Sequence, residues 1–142
     1  MYLVCFGLTK SFVKSPLHNT SKQPGAVEKT DDGYTYLNPS AFPKDFAPAL
    51  PLKQAQFEAR SQMLTAAKVF SQPLTAAAWT TKPSWGIVAG GDKIINPDLE
   101  RRYYARAHSH TTVIPGASHS VYESRPQQVA AVIEDAAKHA QP

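Results

Sequence analysis

From residue 83 onward the chain alternates strand-like and helix-like texture, and that alternation narrows its architecture to very few choices. Ser84 to Ala89 is a nearly continuous apolar run, the pattern of a strand covered on both faces, and Gly90-Gly91 ends it. Asn96-Pro97 then opens a helix, with Asn as the cap and Pro just inside, where its missing N–H had no partner anyway. That helix carries Leu99, Tyr103, Tyr104 and Ala107. Thr111 to Ile114 is a β-branched strand, and Pro115-Gly116 turns the chain. Ser124-Arg-Pro-Gln127 has the spacing of a capping box, and the helix behind it is expected to bury Val129, Val132, Ile133 and Ala136. Strand–helix–strand–helix predicts an α/β fold: a parallel sheet with right-handed crossovers.

The upstream half has a different texture. Residues 1–8 are apolar enough for a strand. Residues 9–33 are dominated by Lys, Ser, Thr, Asn, Pro and Asp, with turn signals at Ser15-Pro16, Gln23-Pro24-Gly25 and Asp31-Asp32-Gly33, and read as loop. Tyr34-Thr-Tyr-Leu37 is a brief extended piece, and Ala41 to Phe46 a short helix or turn. Pro51 opens a longer helix. Leu52, Ala55, Ala59, Met63 and Ala66 recur at three- and four-residue steps, and the run is expected to continue to near Phe70. Three parts follow: a lead and loop over 1–33, a mainly helical segment over 34–80, and the alternating unit over 81–142.

The chain has 142 residues, enough for one core, and 42% hydrophobic with 18% charged residues is ordinary globular composition. The net charge of +4 is spread, with acids set among the basic residues, so nucleic acid is not the expected partner. The lone Cys5 excludes an internal disulfide and sits in an apolar run, where a buried thiol is expected. No stretch approaches the ~18 apolar residues of a membrane span, and the short N-terminal apolar run lacks the basic lead of a secretion signal. A cytoplasmic chain without membrane contact is expected.

Two residues carry the chemistry. In an open parallel sheet, ligands bind beyond the carboxyl ends of the strands. Asp92 and His119 each follow a predicted strand, 27 residues apart. A buried carboxylate that accepts the Nδ1–H of a histidine fixes its tautomer. The other ring nitrogen can then take a proton from a nucleophile and return it to a leaving group. Taken singly, an Asp after Gly-Gly is most often a loop or cap residue, and a loop His is usually just solvated; it is the order and strand context together that single them out. His108 and His110 have a spacing that could grip a metal, but no third ligand lies near, so neither metal nor cofactor is expected.

Residues 25 to 140 resemble the C-terminal half of an α/β-hydrolase, of the small bacterial esterase-like group. The resemblance rests on Gly33-Tyr-Thr-Tyr-Leu-Asn-Pro39, Phe57-Glu-Ala-Arg-Ser-Gln62, Pro73-Leu-Thr-Ala-Ala-Ala-Trp79 and Lys82-Pro-Ser-Trp85. It continues through Gly91-Asp92, Asn96-Pro97 and Ser118-His119-Ser-Val-Tyr122 up to Pro126. It implies a helical cap before Trp79, then two parallel strands with covering helices. It implies Asp92 as the acid and His119 as the general base of a triad whose chain order is nucleophile, acid, His. Tyr34, Tyr36, Phe42, Phe46 and Trp79 suggest an aromatic cap, with Tyr34, Phe42 and Trp79 as candidate substrate-binding residues for a small ester-like molecule; core packing explains the same residues.

Such enzymes carry their serine on a Gly-x-Ser-x-Gly elbow upstream of the cap, and none occurs in this sequence. The chain is therefore expected to be a truncated, esterase-like hydrolase, inactive alone, needing an N-terminal half or associating with itself to cover its sheet. The alternatives are a non-catalytic ligand-binding or interaction module derived from a hydrolase, and an intact small enzyme with an unrecognised site.

Overall fold

The computed structural model describes residues 27–73 and 75–140. The expected strand over 1–8, and all of the expected loop up to residue 26, lie outside the described residues. The last residues of that loop are a strand instead. β1 (Val27–Lys29) pairs antiparallel with β2 (Tyr34–Leu37), with Glu28 opposite Tyr36. Asp31-Asp32-Gly33 is the turn between them, closed by Thr30 N–H on the Tyr34 carbonyl at 2.8 Å. The turn chemistry was visible in the sequence; the pairing that makes Val27–Lys29 a strand was not. Tyr36 Oη donates to Glu28 at 2.5 Å, and Asn38 adds a second bond to the same carboxylate. These bonds hold the Glu28 carboxyl below its ordinary range.

α1 (Phe42–Asp45) and α2 (Leu52–Arg60) follow. Their shared core is Phe42, Ala47, Ala55 and Ala59, flanked by Leu37, Phe46 and Leu50. Burying an aromatic ring such as Phe42 stabilises by about 1.5–3 kcal/mol. The predicted helix from Pro51 to Phe70 is corrected: it stops at Arg60. Gln62 supplies the reason. Its side chain accepts from the Leu37 N–H at 2.9 Å and donates to the carbonyls of Leu37 and Ala59 at 2.8 Å. This clamps the chain onto β2, and β3 (Thr65–Ala66) pairs with β2 to complete a three-stranded antiparallel sheet. Met63, placed on the apolar stripe by periodicity, is 91% exposed, and Leu52 is exposed too. Two short 3₁₀ turns, Ala67–Phe70 and Ala78–Thr80, end the segment, which is thus helical only in part.

The alternating unit forms as expected. β4 (Trp85–Ala89) and β5 (His110–Ile114) pair in parallel, with Trp85 opposite His110 and Ala89 opposite Ile114. α3 (Pro97–Arg106) connects them, and the Asn96 side chain accepts from the Asp98 N–H at 2.9 Å as its cap. α3 lies close on the sheet because Gly86 has no side chain: a Cβ there would stand 2.6 Å from the Tyr104 ring. At its far end His108 takes φ 50°, and the N–H groups of His108 and Ser109 close on the carbonyls of Ala105 and Tyr104. α4 (Val121–Ser124) precedes α5 (Pro126–His139). The expected capping box does not form, because Ser124 Oγ donates to the Ser120 carbonyl at 3.1 Å and belongs to α4. Of the predicted core residues of α5 only Ala136 is fully buried; Val129, Val132 and Ile133 are half-buried, since the sheet beneath has only two strands among the described residues. No helix among the described residues is long and apolar enough to cross a membrane.

Candidate active site

The loops after β4 and β5 meet at the carboxyl end of the sheet. The Gly90 N–H donates to the Ile114 carbonyl at 3.0 Å and the Gly91 N–H to the Ala117 carbonyl at 2.8 Å, so the two loops are tied backbone to backbone. Gly91 is required there by space: a Cβ would stand 3.0 Å from the Gly116 oxygen and 3.1 Å from the Ala117 oxygen. Gly91→Ala is expected to destabilise the chain by about 1–3 kcal/mol, read from urea unfolding, because the atoms in the way are rigid backbone.

That clamp sets Asp92 against His119. Asp92 is 2% exposed, and its Oδ2 lies 2.7 Å from His119 Nδ1. Its Oδ1 accepts the N–H groups of Ile94 and Ile95 at 2.7 and 3.0 Å. The carboxylate is therefore held by three donors, which satisfy its oxygens and fix its direction. When the proton is on Nδ1 and is donated to Asp92, Nε2 presents a lone pair. The His119 side chain is 25% exposed, so the ring is shielded without being sealed off.

The other side of the ring is covered from the residue that follows α1. Phe46 lies against His119 with ring centroids 4.6 Å apart and a 55° tilt, and Phe42 stacks behind Phe46 at 4.5 Å. The Phe46 carbonyl also accepts the Ser120 N–H at 3.2 Å. Phe46 thus fixes both the ring and the backbone after it, a role that sequence reasoning, which grouped it with four other aromatics, did not separate out. The sequence placed it only at the end of a short helix or turn over Ala41 to Phe46. A further bond runs from Gln54 to Glu123 at 3.1 Å.

The three candidate substrate residues fall elsewhere. Phe42 is a core residue and reaches His119 only through Phe46. Tyr34 is on β2, opposite Ala66, and exposed. Trp79 lies in a 3₁₀ turn with the Arg106 guanidinium 5.2 Å above its ring. No hydrogen bond or ring contact among the described residues brings Tyr34 or Trp79 to the Asp92–His119 pair. His110 stacks on Trp85 at 4.8 Å, and among the described residues no three of His, Cys, Asp and Glu gather as a metal ion requires.

An acid and a histidine, joined at 2.7 Å on adjacent strand-end loops of a parallel sheet, have the geometry that a proton relay requires. The comparison with known families agrees with that architecture. A model of the alpha/beta hydrolase family matches residues 8–132, which takes in β4, β5 and the loops that follow them. Among curated proteins, none matches the chain. The chain belongs to the alpha/beta hydrolase family.

Proposed function

We propose that this chain supplies the acid and the general base of an esterase-like hydrolase whose serine nucleophile lies outside residues 1–142. The observation that carries the reading is the Asp92–His119 bond at 2.7 Å, with every Asp92 oxygen engaged and Nε2 left without a hydrogen-bond partner among the described residues. In the assembled site, Nε2 takes the serine proton as Oγ attacks an ester carbonyl, and Asp92 stabilises the imidazolium that forms. The imidazolium then returns the proton to the leaving alcohol. Water repeats the sequence to release the acid. The tetrahedral oxyanion needs donors that come with the nucleophile's loops, and losing them alone removes about 10²–10³ in rate.

The absence of Gly-x-Ser-x-Gly from the sequence supports placing the nucleophile outside residues 1–142. The half-buried face of α5 over the two strands supports the same view, since an α/β sheet needs both faces covered. The test is co-expression with a candidate N-terminal half that bears the elbow. The chain alone is expected to hydrolyse p-nitrophenyl acetate no faster than its His119→Ala variant, and the pair is expected to do so and to label with a fluorophosphonate on the partner's serine. Stoichiometric fluorophosphonate labelling of this chain by itself overturns the split-site reading.

A further inference from the structure

A second buried acid lies within electrostatic reach of Asp92. Glu100 occupies the first turn of α3, eight residues after Asp92, and is 5% exposed. Its Oε2 is fully buried and has no hydrogen-bond partner among the described residues. A carboxylate left so in a protein interior is costly, and the cost falls away if the group keeps its proton. Three other groups face it. Asp92, across the loop, repels its anion; the Ala89 backbone N–H and the neighbouring Arg101 guanidinium favour it. Arg101 is exposed and already committed to Asp98 at 2.7 Å, which weakens its hold on Glu100. Burial and the Asp92 charge prevail, and the Glu100 carboxyl is pushed up to about 8.

We propose that Glu100 is a positioning residue for the Asp92–His119 pair, holding one proton beside Asp92 so that a single negative charge faces the imidazole. Three donors converge on the Asp92 carboxylate, whereas among the described residues Glu100 Oε2 receives none. Two like carboxylates in one site divide the work in this manner: one ionises and the other keeps its proton. Were both ionised, the added charge would stabilise the imidazolium and make His119 slow to give its proton to a leaving group. Its meaning for catalysis rests on the hydrolase reading above; the coupling itself does not.

The test therefore uses no activity. In the ¹³C-labelled chain, the Glu100 side-chain carboxyl is expected to titrate above neutral pH, away from the remaining glutamates. The His119 ring signals are expected to show a second displacement over the same pH range. Glu100→Gln is expected to abolish that displacement, and Asp92→Asn to move the Glu100 transition to lower pH. The wild-type titration needs no variant, so a poorly folding substitution leaves the test intact. Glu100 titrating with the ordinary glutamates overturns the proposal, as does a His119 profile identical in wild type and Glu100→Gln. Loss of esterase activity in every assembled form, with the coupling present, removes the hydrolase reading and leaves this one standing.

Discussion

Asp92→Asn is expected to lower kcat by about 10⁴-fold, with little change in KM, in the esterase assembled by co-expression with a candidate N-terminal half. The size follows from what asparagine can and cannot reproduce. Its amide oxygen can still accept the N–H groups of Ile94 and Ile95, which the Asp92 Oδ1 now accepts at 2.7 and 3.0 Å, so the loop keeps its shape. Its amide nitrogen then occupies the position of Oδ2, 2.7 Å from His119 Nδ1, and it donates where the carboxylate accepted. His119 must answer with a lone pair on Nδ1, which moves its proton to Nε2. The nitrogen that should receive the serine proton is then already protonated, and the negative charge that steadied the imidazolium is gone. The same change is visible in this chain alone: the ¹⁵N signals of His119 should exchange their protonated and unprotonated assignments, while circular dichroism stays unchanged. A His119 that keeps its proton on Nδ1 in the Asn variant would sink the tautomer argument. Because Asp92 and His119 act as a unit, the double variant is expected to cost little more than His119→Ala.

The pair was legible in the sequence because each member follows a strand whose pattern is strong: an unbroken apolar run for β4 and a β-branched one for β5. Glycines next to Asp92 signalled close backbone approach, and Gly91 sits 2.8 Å from the Ala117 carbonyl for that reason. What escaped was set by contacts between distant residues. The helix from Pro51 ends at Arg60 although the apolar steps run on to Ala66, because Gln62 captures both backbone groups of Leu37, 25 residues away. Helical periodicity cannot register a competing strand pairing. Phe46 was one aromatic among several until its ring and its carbonyl were both found on the His119 loop. Glu100 carries no signature at all in the sequence. A glutamate in the first turn of a helix is ordinarily solvated and favoured there by the helix dipole, and only the packing of α3 over Gly86 and the Asp92 loop turns it inward.

Burial of Glu100 also makes stability depend on pH, and the direction is opposite to that of a carboxylate held in a salt bridge. Its carboxyl is moved from the ordinary 4.5 to about 8 in the folded chain. Between those values the native state holds a proton that the unfolded chain releases, so stability falls as pH rises. The contribution is complete below the unfolded value and is lost on passing through the folded one. One proton changes stability by ~1.4 kcal/mol per pH unit, so the whole transition is worth on the order of a few kcal/mol, a large share of what a small domain possesses. Glu100→Gln preserves the shape and cannot ionise; its stability should fall far less between about pH 5 and pH 8, and it should exceed the wild type at the alkaline end. Urea unfolding of both proteins at those two pH values measures the difference and cancels the histidines, which the two share. Parallel stability profiles for wild type and Glu100→Gln would mean that Glu100 is ionised at neutral pH, and that Asp92 and Glu100 together place two negative charges behind His119 rather than one.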